Sequence, residues 1–142
     1  MKKRILSIVL CLVMVFSMLP FTASAASAIP INEETFPDPV FREYVLKIVG
    51  SSVLTEEKAQ QIEVLDVSDD NIKEVLGKRD PITSLMGIRY LRYVKDLNCS
   101  GQELKKTLNL EQNSRVEKLN CSGNQLTGLW FHKGSSLKYL TC

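Results

Sequence analysis

An α/β solenoid, a short ladder of parallel strands fronted by an N-terminal helical cap, is the architecture that three features of the 142 residues predict. The first is a repeat: the frame that opens at Val94 returns at Val116, with Leu97-Asn98-Cys99-Ser100-Gly101 identical to Leu119-Asn120-Cys121-Ser122-Gly123. The second lies upstream, where Phe41, Tyr44, Val45, Ile48 and Val49 recur on one face of a helix. The third is a different kind of segment at the amino end, three basic residues and then fifteen almost wholly apolar ones, which belongs to export and not to the fold.

Composition bounds what such a fold can do. A chain that is 44% hydrophobic and 24% charged suits one modest globular unit and excludes a disordered polymer or a multi-domain enzyme. The formal charge is +2, with 18 basic against 16 acidic residues, but Lys2, Lys3 and Arg4 precede the apolar run. Without them the balance is −1, so the pI near 8.3 gives no support to nucleic-acid binding.

Residues 5–19 are followed by Pro20 and by two small-x-small stretches, Ala23-Ser24-Ala25 and Ala26-Ser27-Ala28. This is the layout of a signal peptide over residues 1–25, with cleavage after Ala25 or after Ala28. Fifteen apolar residues fall short of the roughly 20 that a membrane span needs. Cys11 stands after Leu10, where a lipoprotein signal wants a small residue, and Leu19-Pro20-Phe21-Thr22-Ala23 lacks the Gly and the following tail of a wall-sorting signal. No second run of spanning length follows, so no membrane span is expected after cleavage and the mature chain is expected to be secreted or at the cell surface.

The helical cap is assigned to residues 29–61. Residues 29–37 read as an extended lead-in, and Asp38-Pro39 then supplies an N-cap acceptor and a pre-set φ at the first helical position. Gly50 supplies the stop. A second short helix is expected from Thr55, with Glu56 and Glu57 at its positive end, fading before Ile62.

The repeats are assigned to residues 62–142. Their period is 22 and then 21, because Leu137-Lys138-Tyr139-Leu140-Thr141-Cys142 opens a further copy. A divergent earlier copy runs Leu65-Asp66-Val67-Ser68-Asp69-Asp70-Asn71-Ile72, which lies 32 residues before the Leu97 frame. The excess of about ten residues is expected as a surface loop near residues 77–81, which carry three charges and a Pro. Within each copy, Leu65/Val67, Leu97/Cys99, Leu119/Cys121 and Leu140/Cys142 should point inward and stack as columns. Leu104 with Leu126, Leu108 with Leu129, and Leu110 with Phe131 should fill the core from the returning segment. Asn124 stands where the chain leaves its strand, and its amide can satisfy backbone groups of neighbouring turns, with Gln102 and Asp70 in the equivalent places.

These L-x-x-L-x-C/V-x-x-N-x-L frames resemble the leucine-rich repeat, over residues 62–142. The L-x-C-S-x-N-x-L variant, and the phrase Phe36-Pro37-Asp38-Pro39-Val40-Phe41-Arg42-Glu43-Tyr44-Val45, resemble secreted and surface leucine-rich-repeat proteins of Gram-positive bacteria, internalin-like ones included. The resemblance implies a right-handed solenoid behind a small helical cap. Relatives of that kind often carry an Asp-rich, calcium-binding loop between the cap helices. Here Gly50-Ser51-Ser52-Val53-Leu54-Thr55-Glu56-Glu57-Lys58 lacks the spaced carboxylates, and no calcium or other cofactor is expected.

Cys99, Cys121 and Cys142 recur with the repeat and read as small apolar inward side chains, hence free thiols. Strands about 4.8 Å apart bring two of them within disulfide range, although parallel Cβ vectors make the dihedral hard to reach, and an oxidised pair or an intermolecular bond is the alternative. Three cysteines in an apolar column do not make a zinc site. His132 is the only histidine and reads as a solvated surface residue, and Asp66, Asp69 and Asp70 as a solvated edge after a strand. No phosphate-cradling loop appears. No catalytic set can be assembled, and the chain is read as a non-enzyme.

Outward strand positions form a solenoid's concave binding surface. Here they are Asp66, Ser68, Asp96, Asn98, Ser100, Lys118, Asn120, Ser122, Tyr139 and Thr141, small and polar with one aromatic. Such a face suits hydrogen bonding to a protein or glycan ligand. Trp130, beside Leu129 and Phe131, is a large anchor that is either exposed or partly packed under a loop. The first reading is therefore a secreted recognition or adhesion module. The second is an amino-terminal piece of a longer surface protein whose anchor or activity lies downstream, because the repeats stop at Cys142 inside a strand with no closing cap. An open end of that kind predicts weak stability or self-association.

Overall fold

The computed structural model describes residues 28–77 and 80–142. The segment read as a signal peptide, with Cys11 and the sorting-like pentapeptide, lies outside them.

The chain enters through β1 (Ile29–Pro30), followed by helix α1 (Pro39–Val49). One carboxylate oxygen of Asp38 accepts the N–H groups of Val40 and Phe41, both at 3.0 Å, so the two donors orphaned at the helix start are satisfied. Gly50 closes the helix in the left-handed region (φ 64), its N–H bonded to Leu46 O at 2.9 Å. Phe41, Tyr44, Val45 and Val49 are buried as the periodicity predicts, and Val40 joins them. Ile48 does not: it stays 38% exposed, because the buried stripe is rotated toward Val40. β2 (Val53–Leu54) pairs antiparallel with β1, Ile29 opposite Leu54, so the lead-in is tied into a two-stranded ribbon. Thr55 then caps α2 (Glu56–Gln61), accepting the Lys58 N–H at 3.3 Å.

The repeats build a four-stranded parallel sheet from β3 (Val64–Asp66), β4 (Asp96–Asn98), β6 (Lys118–Asn120) and β8 (Tyr139–Thr141), in that spatial order. Leu65, Leu97, Leu119 and Leu140 are register partners. The inward column holds for three turns, with Leu65, Val67, Leu97, Cys99, Leu119 and Cys121 buried. It opens at the fourth: Leu140 is 50% exposed and Cys142 is exposed, because β8 is the outermost strand and nothing described stacks over it. On the returning side, β5 (Leu108–Leu110) pairs parallel with β7 (Leu129–Phe131), in the register the repeat alignment sets. Leu104, Leu108 and Leu110 are buried, and Leu126, Leu129 and Phe131 pack against them half-buried.

The first turn departs from the others. Its excess residues are not confined to a surface loop. Ser68 caps a third helix, α3 (Asp69–Leu76), with Asp69 and Asp70 in the first turn and Gly77 at the end. The acidic run therefore sits on a helix N-terminus, where it complements the dipole. Lys73 pairs with Asp69, and Lys47 of α1 donates to the carbonyl of Val75. Asp70 is exposed and bridges no turns among the described residues; the amide beside it, Asn71, donates to Asp66 O and to Tyr44 Oη. Beyond α3, Ile82, Leu85, Ile88 and Leu91 are buried, Ile88 opening a 3-10 turn (Ile88–Tyr90) and Leu91 following it. The second oxygen of Asp38 anchors this segment, accepting from the Thr83 N–H (2.8 Å), the Thr83 hydroxyl (3.0 Å) and the Ser84 N–H (3.2 Å). One carboxylate thus caps the start of a helix and fastens the first turn to it.

Candidate functional site

The outward face of the four-stranded sheet carries two rows in register. Val64, Asp96, Lys118 and Tyr139 form one; Asp66, Asn98, Asn120 and Thr141 form the other. Nine of the ten residues expected on this face lie at least partly open, and Ser68 is the exception. It is 8% exposed, its hydroxyl turned to the Asn71 N–H at the start of α3. Val64, 68% exposed, heads the first row and escaped the sequence reading, although its place opposite Asp96 could have marked it.

The second row is shaped by a turn that repeats. The side-chain oxygen of Asn98 accepts the Ser100 N–H (3.2 Å) and hydroxyl (2.8 Å), and that of Asn120 accepts the Ser122 N–H (3.2 Å) and hydroxyl (2.7 Å). Asp66 does the same for the Ser68 N–H at 3.0 Å. Of the two ends of an amide only the oxygen accepts from a backbone N–H, so each asparagine must turn its NH2 group the other way. Both NH2 groups lack a partner among the described residues and form adjacent, half-exposed donors on neighbouring strands.

Charges of alternating sign run alongside. Lys95 bonds Glu63 at 2.7 Å, Lys138 bonds Glu117 at 2.7 Å, and Lys118 lies 3.7 Å from Asp96. The hydrogen bond and charge of Lys138, with lesser help from Lys95 and Lys118, hold the Glu117 carboxyl below its ordinary range. Lys138 is raised in turn by Glu117. These are solvent-exposed pairs, which fix orientation more than they add stability.

Below the face, the thiols of Cys99, Cys121 and Cys142 are free, with the last two sulfurs 2.7 Å apart. Burial above all, then the neighbouring Cys142, pushes both Cys99 and Cys121 up to about 12. They are protonated, inert thiols at neutral pH. Amides stitch the turns beneath them. Asn124 donates to Cys99 O (2.7 Å) and Cys121 O (3.1 Å) and accepts the Leu104 N–H; Gln102 donates to Val67 O and accepts the Ile82 N–H. Asn113, which the sequence reading missed, donates to Ile88 O and Leu91 O, both at 3.0 Å.

The other polar candidates have structural duties. His132 is exposed and accepts the Gly134 N–H, and Lys58 of the calcium-like loop position donates to the last carbonyl of α1, Val49 O. Trp130 is 58% exposed on β7, away from the sheet face. Among the described residues no group of three or more His, Cys, Asp or Glu could hold a metal, and no helix is long and apolar enough to cross a membrane.

No family model matches the chain, and no curated protein matches it. Among solved structures it resembles the functional domain of InlJ from Listeria monocytogenes, a domain described as including a cysteine ladder. The match has a TM-score of 0.57 at 22% identity and covers 82% of this chain. The chain spans 29% of the length of that neighbour. The shared feature is the fold: a leucine-rich-repeat-like α/β repeat in which successive turns lay down one parallel sheet.

Proposed function

We propose that this chain is a non-enzymatic recognition module of a bacterial cell surface or secretome, a leucine-rich-repeat solenoid of the L-x-C-S-x-N-x-L type behind a helical cap, binding a protein or glycan. The observation that carries this reading is the pair of outward amide donors at Asn98 and Asn120, held in register by their own turns. Hydrogen-bond donors fixed by a rigid sheet lose little freedom on binding, which favours acceptor-rich ligands such as glycan hydroxyls or peptide carbonyls. Tyr139 and Lys118 extend the same face with an aromatic ring and a cation.

The test is an array of bacterial and host extracellular proteins and glycans, probed with the protein and with Asn98→Asp and Asn120→Asp. Each substitution keeps the oxygen that the serine turn needs and replaces the outward donor by an acceptor. Both should leave the melting temperature unchanged while weakening the captured ligand about tenfold or more. His132→Ala should leave binding intact. A ligand indifferent to both asparagine variants would sink this reading.

A further inference from the structure

The regular stacking of turns has one gap. β5 pairs with β7 on one side, and on its other side the first turn offers the segment Thr83–Arg89 instead of a strand. A groove of about 410 Å³ opens between them, on the returning side of the molecule and separate from the sheet face. Its floor is apolar, built by Leu85, Leu104, Leu108 and Leu126, with the 63% exposed Met86 on the rim.

One wall is an unpaired strand edge. In a parallel ladder, alternate residues direct both backbone groups to the same neighbour. The Leu108 N–H goes to Gly128 O at 3.0 Å, so Leu108 faces β7 and Asn109 faces the groove. Neither the N–H nor the C=O of Asn109 bonds the backbone of the facing segment Thr83–Arg89. The Asn109 side chain does not close the gap; its oxygen accepts the Glu111 N–H at 2.9 Å.

The charge of the groove is positive. Arg89 donates to Tyr90 Oη at 2.8 Å and lies over that ring, with no carboxylate partner among the described residues. Lys106 also lacks a carboxylate partner among the described residues, because the nearby acid Glu103 pairs with Lys105. The one acid among the described lining residues, Glu111, is held at the Asn109 amide.

We propose that this groove binds a short extended segment of a partner protein, which adds to β5 as a third strand, places an apolar side chain on the leucine floor and sets acidic side chains against Arg89 and Lys106. Strand addition is what an edge with a free donor and acceptor recognises, and the two unneutralised cations select an acidic peptide.

The probe is a blocked hexapeptide alternating valine with aspartate, titrated into the labelled protein and followed by amide shifts. Binding should move Met86 and Asn109. The peptide in which lysine replaces aspartate should bind about tenfold more weakly. A valine N-methylated version, unable to donate to the Asn109 carbonyl, should lose binding by a similar factor. Asn109→Pro removes the groove-facing N–H without touching the ladder to β7 and should abolish the shifts. If that variant does not fold, the N-methylated peptide carries the same test, and Lys106→Glu, at the surface, should reverse the charge preference. Equal binding of the acidic and basic peptides, indifference to N-methylation, or no binding at millimolar peptide would overturn the proposal. So would groove shifts that depend on protein concentration without peptide, since the occupant would then be a second copy of the chain.

Discussion

Gly87 shows how much of this structure depends on single positions. Its φ is 106, and a Cβ built there would lie 2.5 Å from both Phe36 Cδ1 and the Thr35 carbonyl oxygen. Phe36 is itself fully buried, packed against Phe41 and Tyr90 with ring centroids 5.7 and 5.8 Å away. Neither the backbone nor that ring has room to move. Gly50 is the useful contrast, since it has φ 64 but nothing within 4 Å of the added carbon. Gly50→Ala should cost about 1 kcal/mol, the strain of a left-handed residue alone. Gly87→Ala should cost about 3 kcal/mol or more, because overpacking is added to the strain. Urea midpoints of the two variants check this, and equal losses would refute the close approach to Phe36. Sequence could mark Gly87 as a turn residue but not as a packing site, because Thr35 and Phe36 meet it only through tertiary folding. The outward face of the sheet was more readable: strand alternation alone put Asn98 and Asn120 outward, whereas Ser68 was lost to it because α3 claimed its hydroxyl.

At the scale of elements, α1 and α2 were legible because Asp38, Gly50 and Thr55 are local signals, each acting within one turn of its own position. α3 carried comparable signals: Ser68 as cap, Asp69 and Asp70 in the first turn, Ile72, Val75 and Leu76 on one face, and Gly77 as stop. Repeat alignment overrode them by placing Asp70 where Asn124 stands in a later copy. The strands followed the repeat, and so did the thiol column between β4, β6 and β8. That column has a pH signature. Cys99 and Cys121 are raised from 9.0 to about 12, so folding favours their protonated forms. Their contribution to stability is fully present below pH 9, the unfolded value, and is lost progressively as pH rises toward 12. Tyr44, also raised by burial, adds to the same trend. The difference between the protein and a Cys99→Ala/Cys121→Ala variant isolates the thiols. The urea midpoint of the parent should fall more steeply above pH 9 than that of the variant, and parallel curves would mean that neither thiolate is penalised by burial. Alkylation near neutral pH should reach Cys142 well before the other two.

For the whole molecule, a continuous core runs from the packed faces of α1 through the first three strands and thins toward the fourth. The period of the repeat made the ladder readable from sequence; the gradient along it was not, because burial depends on which turn stacks on which. Three amides at the same frame position measure that gradient. The Val67 N–H bonds Asn98 O at 2.8 Å, the Cys99 N–H bonds Asn120 O at 2.8 Å, and the Cys121 N–H bonds Thr141 O at 2.7 Å. Their bonds are alike, so differences in exchange must come from how easily the acceptor strand opens. β4 is covered by β6 and β6 by β8, but β8 presents Tyr139 and Leu140 to solvent at 65% and 50% exposure. Local opening of β8 exposes little new apolar surface and breaks the contacts of one neighbouring strand only. In native-state hydrogen exchange, Cys121 should therefore exchange about tenfold or more faster than Val67 and Cys99, which should approach the rate set by global unfolding. Equal protection at all three positions would mean that the turns open together, and that the exposed edge of β8 is no weaker than the strands beneath it.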